Sequence, residues 1–267
     1  MDPGGLGCRL GRHDHGRLKR RRLGVSELFQ GIGASGGSSW LALALVGLWM
    51  AAVLSLALLV RQRWPEQREW SRKLVHLGTG PVVLLAWALQ IERGIALPLA
   101  AAVTLLTALN HRYRLLPAVE DVGRPSYGTI AYGASITLLL ALFWPSRAAA
   151  VAAGVLVMAF GDGLAGLLGP LVRSPSWSLF GQRKSVVGTG AMAMASALVL
   201  AALWSLQPSG GAGAGLVGGG GAGGLAAAAA IALITGVAVG LEQLSAYGLD
   251  NLTVPLAVAL LWSLLRP

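Results

Sequence analysis

Apolar runs close to the length that crosses a bilayer recur along the whole chain, at residues 40–60, 74–91, 95–109, 130–144, 148–172, 186–206, 225–240 and 252–265. A hydrocarbon core of about 30 Å needs about 20 apolar residues as a helix. Backbone placed in lipid must satisfy its own hydrogen bonds, which leaves spanning helices as the simple solution. The composition agrees: 55% of the 267 residues are hydrophobic and 12% charged, about half the charged share of a soluble domain. The expectation is an all-α, polytopic transmembrane helix bundle of about seven to eight spans. The runs at 95–109 and 252–265 are short enough to be tilted or partly re-entrant.

Residues 1–38 read as a separate, disordered basic tail rich in Gly and Arg, and residues 39–267 as the transmembrane domain. The tail's Gly31-Ile-Gly33-Ala-Ser-Gly36 matches GxGxxG, but no strand precedes it and no βαβ unit surrounds it, so it reads as a leader to the first run. Residues 210–224 form a low-complexity glycine linker. With Cys8 as the single cysteine, neither an internal disulfide nor a cysteine metal site is possible.

The net charge of +10 does not imply nucleic acid, because the basic residues sit in short stretches that flank apolar runs. One set of alternate loops holds Arg61, Arg63, Arg68, Arg72, Lys73, Arg112, Arg114, Arg124, Arg173, Arg183 and Lys184. The opposite set holds Arg93, Arg147 and Arg266. The positive-inside rule puts the first set in the cytoplasm; the tail's own Arg and Lys run against it if the first run crosses. Most of the acidic residues share that face: Glu66, Glu69, Glu120, Asp121, Asp162, Glu242 and Asp250. A channel or carrier places ionisable groups near mid-span. Acidic and basic groups gathered at helix ends on one face suit a site for a soluble anion.

Four polar patches carry that site. Arg72-Lys73-Leu-Val-His76 puts three cation-forming side chains on one helical face, a clamp for phosphate or ordinary flanking charge. Arg124-Pro-Ser126-Tyr127-Gly128-Thr129 has the chemistry of a turn opening a helix, with Ser126 an N-cap and the helix start suited to an anion. In Gly161-Asp162-Gly163-Leu-Ala165-Gly166-Leu-Leu-Gly169 a carboxylate lies inside a long apolar run, flanked by small residues. Such a carboxylate needs a cation, whether a basic side chain locking helices together or a metal, since burying it alone in lipid costs about 2.5–3.5 kcal/mol. Gly181-Gln-Arg183-Lys184-Ser185-Val-Val-Gly188-Thr189 follows; Arg183 stands where a Walker A motif needs glycine, so this is no P-loop. The fourth patch is Glu242-Gln243 with Gly248-Leu-Asp250-Asn251-Leu-Thr253-Val-Pro255, whose oxygens are Mg²⁺ ligands or an Asx turn.

In this order the patches resemble the polyprenol kinase family: Arg72-Lys73-x-x-His76, Gly161-Asp162-x-x-Ala165-x-x-x-Gly169, Lys184-Ser185-x-x-Gly188-Thr189 and Asp250-Asn251-Leu-Thr-Val-Pro255. The resemblance covers residues 63–267 and is greatest to the phytol kinase branch. Val187 and Leu249 stand where many dolichol kinases carry acidic residues. The resemblance implies transfer of the γ-phosphate of CTP, or another nucleotide, to an isoprenoid alcohol dissolved in the bilayer, with Mg²⁺. The phytol branch implies phytol salvage toward tocopherol in a bacterial inner or thylakoid membrane. By this resemblance Arg72, Lys73, Arg124, Arg183, Lys184, Ser185 and Gly188 hold nucleotide phosphates. Gly163, Gly166 and Gly169 leave room for a ligand, and Asp162, Asp250 and Asn251 bind metal. Asp162, His76 and Lys184 form the catalytic group, with His76 or Asp162 taking the alcohol proton. The rivals are a cytidylyltransferase attacking the α-phosphate, a dolichol or diacylglycerol kinase, and a transporter, which would call for internal repeats that the chain lacks.

Overall fold

The computed structural model describes residues 38–113, 127–207 and 222–266. The tail up to residue 37, and with it the expectation of disorder there, lies outside the described residues, as do Arg124, Ser126, Glu120 and Asp121. The described elements, in chain order, are α1 (Ser38–Arg63), α2 (Arg68–Thr79), α3 (Val82–Ala88), α4 (Arg93–Tyr113), α5 (Gly128–Phe143) and α6 (Ala148–Leu156). A π-helical turn (Val157–Asp162) leads directly into α7 (Gly163–Leu171). A hairpin of β1 (Ser176–Leu179) and β2 (Gln182–Ser185) precedes α8 (Val186–Leu206), α9 (Ala222–Leu244) and α10 (Asp250–Leu265).

The chain is therefore an all-α polytopic bundle with one small hairpin. Five described helices are long and apolar enough to cross a membrane, among them Arg93–Tyr113, where the sequence had suggested a short or re-entrant segment. Gly128–Phe143 and Asp250–Leu265 are shorter apolar helices.

The bundle is built around the continuous helix Ala148–Leu171, whose most apolar stretch is 67% buried, against 17% for α1 and 6% for α4. Residues 148–159 are buried without exception. Seven of the twelve are Ala or Gly, so neighbouring backbones come close. Closest is α10: a Cβ on Gly154 would run into the main-chain oxygen of Pro255. Val254, Val258, Ala259 and Trp262 of α10 are fully buried against this helix. By contrast α1 lies at the edge, tied to α2 by the indole of Trp49, which donates to Gly78 O at 2.8 Å.

The run at 74–91 differs from expectation. It is not one helix: Pro81 has no N–H to continue the ladder, Gly80 N turns to Leu77 O at 3.3 Å, and the helix resumes at Val82. Its first half starts at Arg68, so Arg72 and Lys73 project from inside α2 instead of preceding it.

Two faces result. On one, the ends of α1/α2, α4/α5, α7/α8 and α9/α10 meet, cross-linked by Tyr127 N to Tyr247 O at 2.9 Å. On the other, Trp144 Nε1 donates to Ile91 O (2.9 Å) and Arg93 to Ala141 O (2.7 Å), while Arg266 donates to Trp204 O (2.7 Å) and Gln207 O (3.0 Å).

Candidate functional site

Asp162 ends the π-helical turn. The wider winding of such a turn displaces the i to i−4 ladder, and the side chain of His76 takes up the Met158 carbonyl, Nε2 to O at 3.2 Å. A carbonyl only accepts, so the proton sits on Nε2. The same nitrogen lies 3.5 Å from Asp162 Oδ2, and the imidazole is packed on the Tyr132 ring with centroids 4.2 Å apart. From α2, Lys73 Nζ donates to Asp162 Oδ2 at 2.5 Å and to Asp162 O at 3.1 Å. Lys73 is buried, and its stem crosses Gly166 so tightly that a Cβ there would overlap Lys73 Cε.

The second lysine is carried by the hairpin, in which Trp177 pairs with Lys184 and Leu179 with Gln182. Its two-residue turn has Phe180 at φ +48 and Gly181 at φ +74, as the twist of a tight hairpin demands. Val186 N closes the base on Pro175 O at 3.0 Å. Lys184 Nζ donates to Glu242 O at 3.0 Å and to Glu242 Oε1. Glu242 Oε2 accepts from Gln243 Nε2 at 2.7 Å, and the same amide donates to Thr189 Oγ1 at 2.9 Å. Ser185 caps α8, its Oγ accepting from Gly188 N at 3.1 Å, and the positive end of that helix faces the same space.

Asp250 and Asn251 open α10 and are both buried. Asn251 Nδ2 donates to Gly248 O at 3.3 Å. Asp250 makes no salt bridge among the described residues, yet it lies within the fields of Lys73, Lys184, Asp162 and Glu242.

All of this surrounds one cavity of about 570 Å³. Of the residues singled out in the sequence, Arg72, Lys73, Asp162, Gly166, Gly169, Arg183, Lys184, Ser185, Gly188, Asp250 and Asn251 line it. Arg72 is held by Glu69 at 2.8 Å, and Arg183 by the Ser176 hydroxyl at 3.1 Å. His76 and Gly163 do not line the cavity: His76 stands behind Asp162, and Gly163 faces Leu77. Gly169 is packed against Ser185 and Gly188, so its missing side chain serves the approach of α7 to α8. Sequence reasoning passed over Trp70, which lies one turn before Lys73 on α2 and lines the same wall. It also missed that Glu242 belongs to Lys184; the available signal was a carboxylate at the end of an apolar run, as at Asp162.

The donor set fits a hard cation. Asp250 and Asn251 offer oxygen ligands, and among the described residues no three His, Cys, Asp or Glu side chains cluster as a complete metal cage. Mg²⁺ is characteristically held that way, by one or two carboxylates together with substrate phosphates and water.

No family model and no solved structure matches the chain. Over 223 residues it is 39% identical to a phytol kinase of Synechocystis sp. (strain ATCC 27184 / PCC 6803 / Kazusa), a match that covers 83% of this chain and 90% of that protein.

Proposed function

We propose, for a chain that belongs to the phytol kinase-like polyprenol kinase family, that the cavity binds CTP or another nucleoside triphosphate and phosphorylates phytol or a similar isoprenoid alcohol. The observation that supports this most directly is the meeting of two lysines from different elements with Asp162 and Asp250 in one cavity, at one face of an apolar bundle. At about 570 Å³ it falls within the ordinary range of small-molecule sites.

Phosphoryl transfer asks a protein for positioning and charge neutralisation more than for covalent chemistry. In this reading the alcohol oxygen forms a bond to the γ-phosphorus. The bond from that phosphorus to the β–γ bridging oxygen breaks, and the nucleoside diphosphate leaves with that electron pair. The alcohol proton passes to the Asp162 carboxylate. Its Oδ2 is already held by Lys73, with His76 Nε2 packed 3.5 Å away, which suits a fixed acceptor better than the metal ligand that the resemblance also implied. His76, with Nε2–H committed to Met158 O, keeps Asp162 in place and takes no proton. Lys73 and Lys184 hold the phosphates, assisted by the start of α8 and by Arg72 and Arg183 at the rim. Asp250 and Asn251 would hold Mg²⁺, which when bound neutralises phosphate oxygens. The apolar tail of the alcohol stays among the helices while its hydroxyl reaches the cavity. The loops on this face are the arginine- and lysine-rich ones, so the site faces the cytoplasm.

The test is to supply membranes containing the protein with γ-labelled CTP, UTP, GTP or ATP and with phytol, farnesol, dolichol or diacylglycerol. Label on phytol is the expected result, with CTP the best donor. Label released as pyrophosphate marks attack at the α-phosphate and a cytidylyltransferase. Absence of labelled lipid with every donor overturns the reading.

A further inference from the structure

We infer that Glu242 is a positioning residue of the nucleotide site: it fixes Lys184 for phosphate as Asp162 fixes Lys73, and the two lysines act as a matched pair on the cavity that both line. The inference rests on the reading of the cavity as a nucleotide site and adds a residue that this reading does not use.

The two grips share one design. Lys73 Nζ is held by the main-chain oxygen and the carboxylate of a single residue, Asp162. Lys184 Nζ is held by the main-chain oxygen and the carboxylate of a single residue, Glu242. An ammonium group has three donors, so each grip leaves one N–H for the cavity that both lysines line. Two-point holding removes the freedom of a long, flexible stem and directs the remaining donor.

Helix stability does not explain Glu242. It lies in the last turn of α9, where the negative end of the helix dipole opposes a carboxylate and favours a cation. It is also buried, at 6% exposure. A carboxylate in such a place requires a specific partner, and the partner comes from the hairpin, an element separate from the helix that carries Glu242. Both carboxylate oxygens are occupied, Oε1 by Lys184 and Oε2 by Gln243 Nε2, which also reaches Thr189 in the first turn of α8. With Oε1 on Lys184 and Oε2 on Gln243, Glu242 serves as a brace for Lys184.

A double-mutant cycle on the full-length protein in lipid nanodiscs tests this, read as equilibrium binding of the non-hydrolysable β,γ-imido analogue of CTP and as KM for CTP and for phytol. E242Q should weaken nucleotide binding about tenfold, as loss of a charge-assisted contact does, and raise KM for CTP while leaving KM for phytol within about twofold. In K184M the second substitution should add nothing beyond about twofold, because coupled residues are non-additive. Losses that add, or a fall in phytol affinity equal to that in CTP affinity, overturn the inference and mark a structural role. So does unchanged CTP affinity with a raised Mg²⁺ requirement, which marks a metal ligand. If E242Q does not accumulate in membranes, Q243L keeps Glu242 and removes only the amide that ties its Oε2 to Thr189; it should weaken CTP binding less, and again not in K184M, with additivity overturning the inference. Wild-type protein that binds no nucleoside triphosphate overturns both this inference and the kinase reading, whereas wild-type binding with additive losses overturns this inference alone.

Discussion

The Lys73–Asp162 and Lys184–Glu242 grips look alike at the nitrogen and differ in what supports them. Asp162 is anchored in the most buried helix of the molecule, and its neighbours Lys73, His76 and Tyr132 come from helices packed against it. Glu242 and Lys184 stand at the ends of elements, on the last turn of α9 and on a two-stranded hairpin, and are joined by side-chain hydrogen bonds through Gln243 and Thr189. One grip is fixed by core packing, the other by a polar network at the edge of the bundle. The first is suited to the reacting centre, where a misplacement of about 1 Å costs about a hundredfold in rate. The second suits a group that must meet an incoming ligand.

The largest effect should follow from D162N. The main-chain oxygen of residue 162 still holds Lys73, so the packed grip survives while the proposed proton acceptor is lost. We expect kcat to fall at least about a hundredfold, with the protein still inserted in the membrane and still binding nucleotide. Full activity in D162N, assayed with labelled CTP and phytol, breaks the distinction between the two grips.

Next comes G166A. The added methyl meets the stem of Lys73 and should push its ammonium off Asp162, lowering kcat/KM by about ten- to a hundredfold, an overpacking cost of about 1–3 kcal/mol. The control is G47A on α1, where nothing lies within 4 Å of the new methyl and activity should not change. Equal losses in the two variants would show that the Lys73 stem is not what Gly166 accommodates.

H76Q should have a smaller effect. It removes the imidazole from Tyr132 and alters the donor to Met158 O, a loss of about 1–2 kcal/mol for one buried hydrogen bond. We expect kcat to drop about five- to thirtyfold, with KM for CTP unchanged. If His76 were itself the base, the loss would match that of D162N.

The two grips also differ in how legible they were. Asp162 announces itself, because a carboxylate inside an apolar run is costly and needs a cation. The glycines beside it lie on the same apolar helix, and the lysine that answers it lies on the short polar helix Arg68–Thr79. The break before α3 was readable at Gly80-Pro81 but was hidden by the continuous hydropathy of the run. The hairpin left no such signal. The alternation of Ser176-Trp-Ser-Leu179 lasts only four residues, its partner Gln182-Arg-Lys-Ser185 is polar throughout, and the turn places Phe180 as well as Gly181 at a positive φ. The pairing of Lys184 with Glu242 joins residues 58 positions apart through an element whose local signal is this brief. The sequence thus showed that both residues were polar and near helix ends, and only the fold shows that they belong to each other.

The smallest functional effect should come from the face opposite the cavity. Arg266 binds two main-chain oxygens, of Trp204 and Gln207, and its guanidinium lies 4.5 Å from the centre of the Trp204 ring, which in turn packs edge-on against Trp262. This ties the end of α10 to the end of α8. R266A should therefore lower stability by about 1–2 kcal/mol, seen as a reduced Tm in detergent. Its kcat and both KM values should stay within about twofold of wild type, because the opposite ends of the same two helices have their own contacts, Ser185 with Gly188 N and Asn251 with Gly248 O. α8 and α10 are continuous from one face to the other, so a loss of nucleotide affinity in R266A would mean that their register is transmitted through the bundle. The hairpin grip would then depend on core packing after all, and the contrast between the two lysines would reduce to one of degree.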